Sequence, residues 1–290
     1  MPPRVSIDVE NRAVDGYLSG RTTIELGEEL GISSSCVSGI LKRNNINRRT
    51  PNETHRRHHF NQRFFQSVDS EEKAYWLGFI TADGTVHNHS YTIRINLSSK
   101  DRSHLVKYCD SLSLNSQKII DCKTNKKEDG TRREMSYIPI QSKLMFDDLA
   151  NLGISSNKTF SVNAWQGPHR LMGHYWRGVW DGDGSLRKTL RKKHPEWVFD
   201  LCGSLSMMNS FSLFLCDRLG FAPNVFPMSS IFRVRITGVM KVQSIIKLLF
   251  EDATIFLDRK KTLADECLSQ ESLKDGRQPL KRLTRKKRKT

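Results

Sequence analysis

The pattern of apolar and polar positions divides the chain into three stretches. Within the first 49 residues, apolar residues recur at helical spacing. Residues 50–69 are polar and basic, with almost no apolar periodicity. From Ser70 onward, helical stretches alternate with runs in which every second residue is apolar, as in strands with one buried face. The pattern therefore predicts a small helical domain (1–49), a basic linker (50–69) and a larger α+β region.

The N-terminal domain is predicted to be all helical. Thr22 or Thr23 can cap a helix that carries Glu25 in its first turn. Gly31 can end that helix in a left-handed conformation, and Ser33 can cap the next one. Two short helices around such a turn form a helix-turn-helix, whose second helix lies in the major groove of DNA. A plain three-helix bundle is the alternative. The residues expected to contact DNA are Ser34, Ser35, Ser38, Lys42 and Arg43.

The α+β region contains the same order of elements twice. Residues 70–160 and 161–270 each read as helix, two strands, helix, two strands, helix. The fold class is therefore α+β, with two pseudo-symmetric αββαββα repeats. The second repeat has a longer and densely cationic first hairpin. If the hairpins lie in DNA grooves, as two-stranded ribbons do, the expected contacts are Arg94, Asn96, Arg187, Lys188, Arg191, Lys192 and Lys193.

One nine-residue segment opens each repeat. Residues 76–84 begin as an apolar run and end in Asp83-Gly84, and residues 176–184 end in Asp183-Gly184, 100 positions later. Small residues four apart give each segment a nearly side-chain-free helical strip. These residues are Gly78 and Ala82 in the first copy and Gly178 and Gly182 in the second. We expect the two strips to form the interface of a closely packed helix pair.

Packing of the two strips would bring both helix C-termini together. Asp83 and Asp183 would then be neighbours, and their mutual repulsion would require a cation. Mg²⁺ suits such a site because it binds one or two carboxylates and keeps positions for water and phosphate oxygens. Metal ions held in this way stabilise the attacking and leaving oxygens in phosphodiester hydrolysis. An Asp that merely precedes a helix-ending Gly is the structural alternative.

Charge and composition favour a nucleic-acid partner. Lys and Arg outnumber Asp and Glu by 47 to 31, a net charge of +16, which indicates a polyanion partner. Residues 271–290 hold nine Lys or Arg and two acids, and are predicted to be a disordered basic tail, with a nuclear-import signal as the rival interpretation. The six cysteines form no C-x-x-C pair, and no run is long enough to span a membrane. We expect a protein with free thiols and no membrane association.

The two nine-residue segments resemble copies of the LAGLIDADG motif, and residues 70–265 resemble a single-chain, two-repeat LAGLIDADG homing endonuclease. Both copies have the third-position Gly, the eighth-position Asp and the final Gly. A tryptophan opens each copy, Thr81 replaces the first acid, and Arg177 replaces a small residue. If the resemblance holds, Arg177 should face away from the helix pair.

The resemblance implies two saddle-shaped antiparallel sheets and a Mg²⁺-dependent site, in which Mn²⁺ may replace Mg²⁺. Asp83 and Asp183 would be catalytic and metal-binding, with Gly84 and Gly184 beside the metal. A basic residue from each half would lie near the reacting phosphate. The matching positions are Lys158 and Lys260, with Lys261 as a rival for the latter.

The sequence thus predicts a site-specific double-strand DNA endonuclease that leaves short 3′ overhangs. It would act as a monomer, because the duplicated halves make an internal pseudo-dimer. An intron RNA maturase and a non-cleaving DNA-binding regulator are the alternatives, and the retained acid pair weighs against both. The expected location is the cytoplasm or nucleoid of a bacterial or phage-infected cell, with a nucleus or organelle as the alternative.

Overall fold

The structure, a computed structural model, describes residues 5–19, 21–48, 60–124, 132–155, 162–191 and 194–270, without the side chains of 190–195. Several predicted features lie outside these residues. They are Lys158, Lys192, Lys193, the side chain of Arg191, residues 50–59 of the linker and the basic tail. The chain forms two compact units, one of residues up to Asn61 with Ser113–Asn115, the other of the remainder.

The described residues of the first unit form three helices. They are α1 (Ile7–Leu18), α2 (Thr23–Leu30) and α3 (Ser34–Arg43). Thr22 forms a capping box with Glu25, Gly31 takes a left-handed φ of 66°, and Ser33 caps α3. The helices share one apolar core. Its buried members are Ala13, Tyr17, Leu26, Val37, Ile40 and Leu41.

The second unit begins within the predicted linker. Residues 62–69 belong to it, and Phe64 and Phe65 are buried there. Arg63 pairs with the buried carboxylate of Asp148 at 3.0 Å, which ties this segment to the first repeat.

The first repeat has the predicted element order. It consists of α4 (Glu71–Asp83), β1 (Gly84–His87), β2 (Thr92–Ser98), α5 (Arg102–Ser111), β3 (Ile120–Lys123), β4 (Glu134–Gln141) and α6 (Lys143–Asn151). The four antiparallel strands form one sheet in the order β1-β2-β4-β3.

Among the described residues, the second repeat has the same order followed by one further helix. It consists of α7 (Met172–Asp183), β5 (Gly184–Arg191), β6 (His194–Gly203), α8 (Leu205–Leu219), β7 (Val225–Met228), β8 (Ile231–Thr237), α9 (Val239–Phe250) and α10 (Asp258–Ser269). Its antiparallel sheet has the order β5-β6-β8-β7, equivalent to that of the first. The predicted α+β class with two antiparallel sheets is confirmed. The sequence did not predict α10.

Strands β5 and β6 are four and three residues longer than β1 and β2. The longer hairpin predicted for the second repeat is therefore present. One face of each sheet packs on helices, as when Phe199 of β6 stacks on Trp180 of α7 and on Phe211 of α8. The opposite face of each sheet carries polar side chains, because successive residues of a strand point to opposite sides.

Candidate active site at the paired helix ends

Helices α4 and α7 form the centre of the second unit. Ala74 to Thr81 are eight consecutive buried residues in α4, and Tyr175 to Asp181 are seven in α7. A helix that is buried all round lies inside a core rather than on a surface. Both helices therefore lie inside the core of this unit, as the duplicated motif predicted.

The two helix backbones touch at equivalent glycines. A Cβ on Gly78 would lie 2.0 Å from the carbonyl oxygen of Tyr175, and a Cβ on Gly178 would lie 2.0 Å from that of Tyr75. Any side chain at these positions would collide with the backbone of the other helix. The reciprocal contact relates residues 100 positions apart, so the pair is locally pseudo-symmetric.

The same approach continues to the helix C-termini. A Cβ on Gly182 would lie 2.4 Å from the Cβ of Ala82 and 3.5 Å from the carboxyl carbon of Asp83. Asp83 and Asp183 are the last residues of their helices, so the Asp83 carboxyl group lies beside the final turn that carries Asp183. The predicted juxtaposition of the two motif ends is present.

Both carboxylates are accessible. Asp83 is half-buried and Asp183 is exposed. Asp183 also borders a cleft of about 210 Å³, whose other walls are mostly apolar. These walls include Ala82, Val162, Val179, Met207 and Ile231. The Asp183 carboxylate is therefore in contact with solvent at the rim of this cleft.

The donor set fits a hard divalent cation that is completed by substrate. Within the described residues, no cluster of three or more His, Cys, Asp or Glu side chains could hold a metal ion alone. Mg²⁺ commonly binds through one or two carboxylates and obtains its other ligands from water and substrate phosphates. Asp83 and Asp183 match that pattern. The carbonyl oxygen of Gly184 already accepts a bond from Lys260, and Gly84 is the C-cap of α4.

Lys260 caps the C-terminal end of α7. Its side chain is 3% exposed, and Nζ donates to the carbonyl oxygens of Trp180 (2.5 Å), Asp181 (2.9 Å) and Gly184 (2.7 Å). An ammonium group has three N–H bonds, so all three are used. A cation at this end also complements the negative pole of the helix dipole.

Electrostatics separate Lys260 from its neighbour in sequence. Burial lowers the pKa of Lys260 to about 8, although nearby Asp181, Asp83 and Asp183 oppose the shift. Lys261 instead pairs with Asp265 one helical turn further along α10. Of the two lysines predicted as candidates, only Lys260 lies at the paired helix ends.

Asp181 is a further acid of this site that is fully buried. Its Oδ2 accepts from the Tyr75 hydroxyl (2.7 Å) and from the backbone N–H of Leu257 (2.8 Å). Burial raises the pKa of Asp181, and Lys260 opposes the shift. The Tyr75 hydroxyl also lies 2.9 Å from Nε2 of His104, whose pKa burial lowers to about 3. Neutral His104 therefore donates to Tyr75, which in turn donates to Asp181.

Arg177 does not face away from the helix pair. Its side chain is completely buried beside α4, where it pairs with Glu71 (2.6 Å) and lies over the Tyr75 ring. It also donates to the carbonyl oxygens of Leu249 and Ile255. The expectation failed because the guanidinium finds enough buried acceptors to offset the loss of water. It ties the segment before α10 to the helix pair.

The predicted DNA-contacting residues of the first sheet form a small cluster on its polar face. Arg94 donates to Asn96 (2.7 Å), and its guanidinium lies 3.7 Å from the centre of the Tyr137 ring. These contacts hold the arginine against the sheet.

The second sheet carries an ionic cluster that the sequence did not reveal. Asp200 of β6 is 5% exposed, and its carboxylate forms ion pairs with Arg187 of β5 and Arg235 of β8. Burial works against ionisation, but the bonds from both arginines hold the pKa of Asp200 below its usual value. Lys188 lies on the other, helix-packed face of β5, beside the Trp197 ring, where it pairs with Glu266 of α10 at 3.1 Å, so this predicted DNA contact is not on the polar face. Part of the positive charge of the hairpin is thus neutralised by Asp200 and Glu266.

In the first unit, the predicted DNA-contacting residues lie on the exposed side of α3. The Ser35 hydroxyl is 2.8 Å from that of Ser33, and the Ser38 hydroxyl donates to the carbonyl of Ser34. Lys42 is exposed, and Arg43 pairs with Glu10 of α1.

Among the described residues, no helix is both long and apolar enough to cross a membrane.

Sequence reasoning missed three residues that organise the site and one, Asp200, that organises the ionic cluster of the second sheet. They are Tyr75, His104, Glu71 and Asp200. Tyr75 carried a usable signal, because Tyr175 repeats it 100 positions later, immediately before the second copy of the motif. The other three act through partners distant in sequence, which no local pattern reveals.

The chain is similar to known proteins in its structure, but no match is found from its sequence. No family model and no curated protein sequence matches the chain. Three similar solved structures are the LAGLIDADG meganuclease I-AabMI bound to uncleaved DNA (13% identity, TM-score 0.45), the LAGLIDADG homing endonuclease I-SmaMI bound to cleaved DNA (14%, 0.45), and the LAGLIDADG homing endonuclease I-GzeII with its DNA target (13%, 0.43). Each match covers 67–69% of this chain and 88% of the other. These proteins bear the name of the motif that residues 76–84 and 176–184 resemble.

Proposed function

We propose that this protein is a site-specific DNA endonuclease that hydrolyses both strands of its target with a divalent metal ion. The observation that carries the proposal is the meeting of two accessible aspartates at the ends of a helix pair whose backbones touch. Two aspartates that only cap their helices would not require the two backbones to come this close. A site in which both carboxylates bind one cation does require it.

In this mechanism, Asp83 and Asp183 would hold the metal ion, which would in turn bind oxygens of the scissile phosphates. When bound, Mg²⁺ or Mn²⁺ supplies charge stabilisation for the attacking and leaving oxygens of the phosphodiester. The close contact at Gly78 and Gly178 fixes the separation of the two carboxylates, which a buried interface resists changing. The resemblance of the two motif copies implies one aspartate for each strand and a double-strand break with short 3′ overhangs.

Lys260 acts by holding the end of α7 in place. Its three hydrogen bonds go to backbone carbonyls, including that of Gly184 next to Asp183. A lysine so engaged has no N–H left for a phosphate. We therefore assign it a positioning role in this conformation, in place of the direct phosphate contact that the sequence suggested.

The polar faces of the two sheets are the proposed DNA-binding surface. Arg94 and Asn96 contribute from the first sheet, and Arg187 contributes from the second, whereas Lys188 lies on the opposite face of β5 and pairs with Glu266. A net charge of +16 supports a polyanion partner. The helical first unit would extend the contact through Ser34, Ser35, Ser38, Lys42 and Arg43.

The function can be tested on DNA of random sequence. The purified protein is incubated with a plasmid library of random inserts and Mg²⁺, and the new ends are sequenced. We expect cuts at one long, imperfectly palindromic sequence with short 3′ overhangs. Asp83→Asn and Asp183→Asn should retain binding to that sequence and lose double-strand cutting, because an amide is a poor ligand for Mg²⁺.

The matched control is Asp265→Asn. Asp265 pairs with Lys261 on α10 and has no part in the proposed site, so this variant should cut like the parent protein. Double-strand cutting by Asp83→Asn or Asp183→Asn at the parental rate would disprove the assignment. Target binding without any cutting by the parent protein would indicate a non-cleaving regulator instead.

A further inference from the structure

The two motif copies differ at one buried position, which Thr81 occupies in the first copy and Asp181 in the second. Each contacts the tyrosine that precedes the other copy. Asp181 accepts from the Tyr75 hydroxyl (2.7 Å), and the Thr81 side chain hydrogen-bonds Tyr175. The crossed arrangement is pseudo-symmetric, but only one of the two pairs contains a carboxylate.

Asp181 makes contacts to α10 that begin at the start of that helix. The backbone N–H of Leu257, the N-cap residue of α10, donates to Asp181 Oδ2 at 2.8 Å. Leu257 has no capping side chain of its own, so the carboxylate of Asp181 satisfies an N–H at this terminus. The backbone carbonyl of Asp181 accepts from Lys260, in the first turn of α10. One residue therefore holds α10 at two points.

Thr81 cannot do the same in the first copy. Its hydroxyl donates to the Leu77 carbonyl of its own helix at 2.8 Å and carries no charge. A carboxylate can accept several strong bonds at once and favours a helix N-terminus, whereas a hydroxyl does neither as well. The end of α7 at Asp183 is thus braced through a carboxylate at a position where the first copy has a neutral hydroxyl.

We propose that Asp181 is a positioning residue that makes the Asp183 half of the site the faster one, so that the two strands are cut in a fixed order. The inference rests on the proposed nuclease function. Lys260 is held against the carbonyl of Gly184, the residue that follows Asp183. Fixing α10 therefore fixes the backbone next to Asp183, and displacements of about 1 Å can change a rate a hundredfold.

The test is strand-resolved nicking of a supercoiled plasmid that carries one target, under single-turnover conditions with Mg²⁺. The Asp83→Asn and Asp183→Asn variants first show which strand depends on which carboxylate. In the parent protein, nicks in the Asp183-dependent strand should accumulate several-fold faster. Asp181→Thr, which copies the first half, should bring the ratio of the two nicking rates towards one.

Two further variants separate positioning from general loosening. Asp181→Asn keeps an acceptor for Leu257 N–H but loses the charge, so it should retain an intermediate bias. Tyr75→Phe leaves the Leu257 bond intact and should keep most of the bias. The ratio is measured within molecules that cut, so partial unfolding does not alter it. If Asp181→Thr does not cut at all, a reduced bias in Asp181→Asn decides the test in its place.

The outcomes distinguish the inference from the function on which it rests. If the parent protein cuts no DNA, the nuclease proposal fails. Equal first nicking of both strands by the parent protein would overturn only the inference. So would an unchanged bias in the decisive Asp181 variant, or equal loss of bias in Asp181→Thr and Tyr75→Phe.

Discussion

Replacement of Gly178 by Ala tests the contact on which the site is built. The new Cβ would lie 2.0 Å from the carbonyl oxygen of Tyr75 and 2.8 Å from the backbone N of Phe79. Both are backbone atoms, so neither can rotate away. Ordinary contact begins at 3.4 Å, so the two helices would have to separate locally by about 1.4 Å.

The cost follows from the type of contact. Overpacking a well-packed interior costs about 1–3 kcal/mol, and a collision with backbone belongs at the upper end of that range. Ala gains about 1 kcal/mol over Gly within a helix. We expect a net loss of about 2 kcal/mol in the free energy of unfolding. The rate of cutting should fall by about a hundredfold, because the carboxylates move apart by an ångström or more.

Urea denaturation gives the stability, and single-turnover cleavage at saturating protein gives the rate. Gly173→Ala is the matched control in the same helix, since its Cβ would lie 3.3 Å from the Leu248 carbonyl oxygen and requires a shift of only a few tenths of an ångström. Gly78→Ala opens the same interface, so the double variant should cost less than the sum of the two single changes. A Gly178→Ala protein with parental stability and parental rate would refute the close-packed interface.

Three further predictions concern other parts of the molecule. Replacement of Asp200 by Ala should destabilise the protein by about 1–2 kcal/mol in urea titrations, a value reduced from that of a fully buried pair because Arg187 and Arg235 are 42% and 37% exposed. Stability should fall as the pH drops below 6.5, because unfolding lets His104, with a folded pKa of about 3, take up a proton. The fall should reach about 2 kcal/mol at pH 5, and His104→Gln should remove it; an unchanged pH profile in that variant would exclude His104 as its source. Deletion of residues 1–48 should weaken target affinity in gel-shift titrations more than it slows single-turnover cutting, and unchanged affinity would remove the first unit from target recognition.

Most of the fold was predictable because its signals are local or repeated. The caps at Thr22 and Ser33 were visible in the sequence, since capping needs one side chain and an N–H three residues away. Helix α10 was missed for an equally physical reason. Its buried stripe is Lys260, Ala264 and Cys267, and a stripe headed by a lysine does not read as an apolar face.

The site was predictable in part. Two aspartates 100 positions apart could be paired because the glycine strips determine which faces meet. The choice between Lys260 and Lys261 could not be made, because it depends on the rotation of α10 about its own axis. Asp200 was hidden for a similar reason: its pairing with Ser185 and Arg235 follows from strand register between segments distant in sequence.

The two halves differ in how far their symmetry extends. At Gly78 and Gly178 the helix contacts are equivalent, because a Cβ added to either glycine would lie equally close to the carbonyl oxygen of the tyrosine on the other helix. Away from that contact the two halves differ. Thr81 occupies the position that is equivalent to Asp181, and strands β5 and β6 are longer than β1 and β2. A change at the glycines must therefore disturb both carboxylates together, whereas a change at Asp181 acts mainly on one half. Comparing Gly178→Ala with Asp181→Thr in the same strand-resolved assay separates these two kinds of control, since only the second should alter the ratio of the two cutting rates.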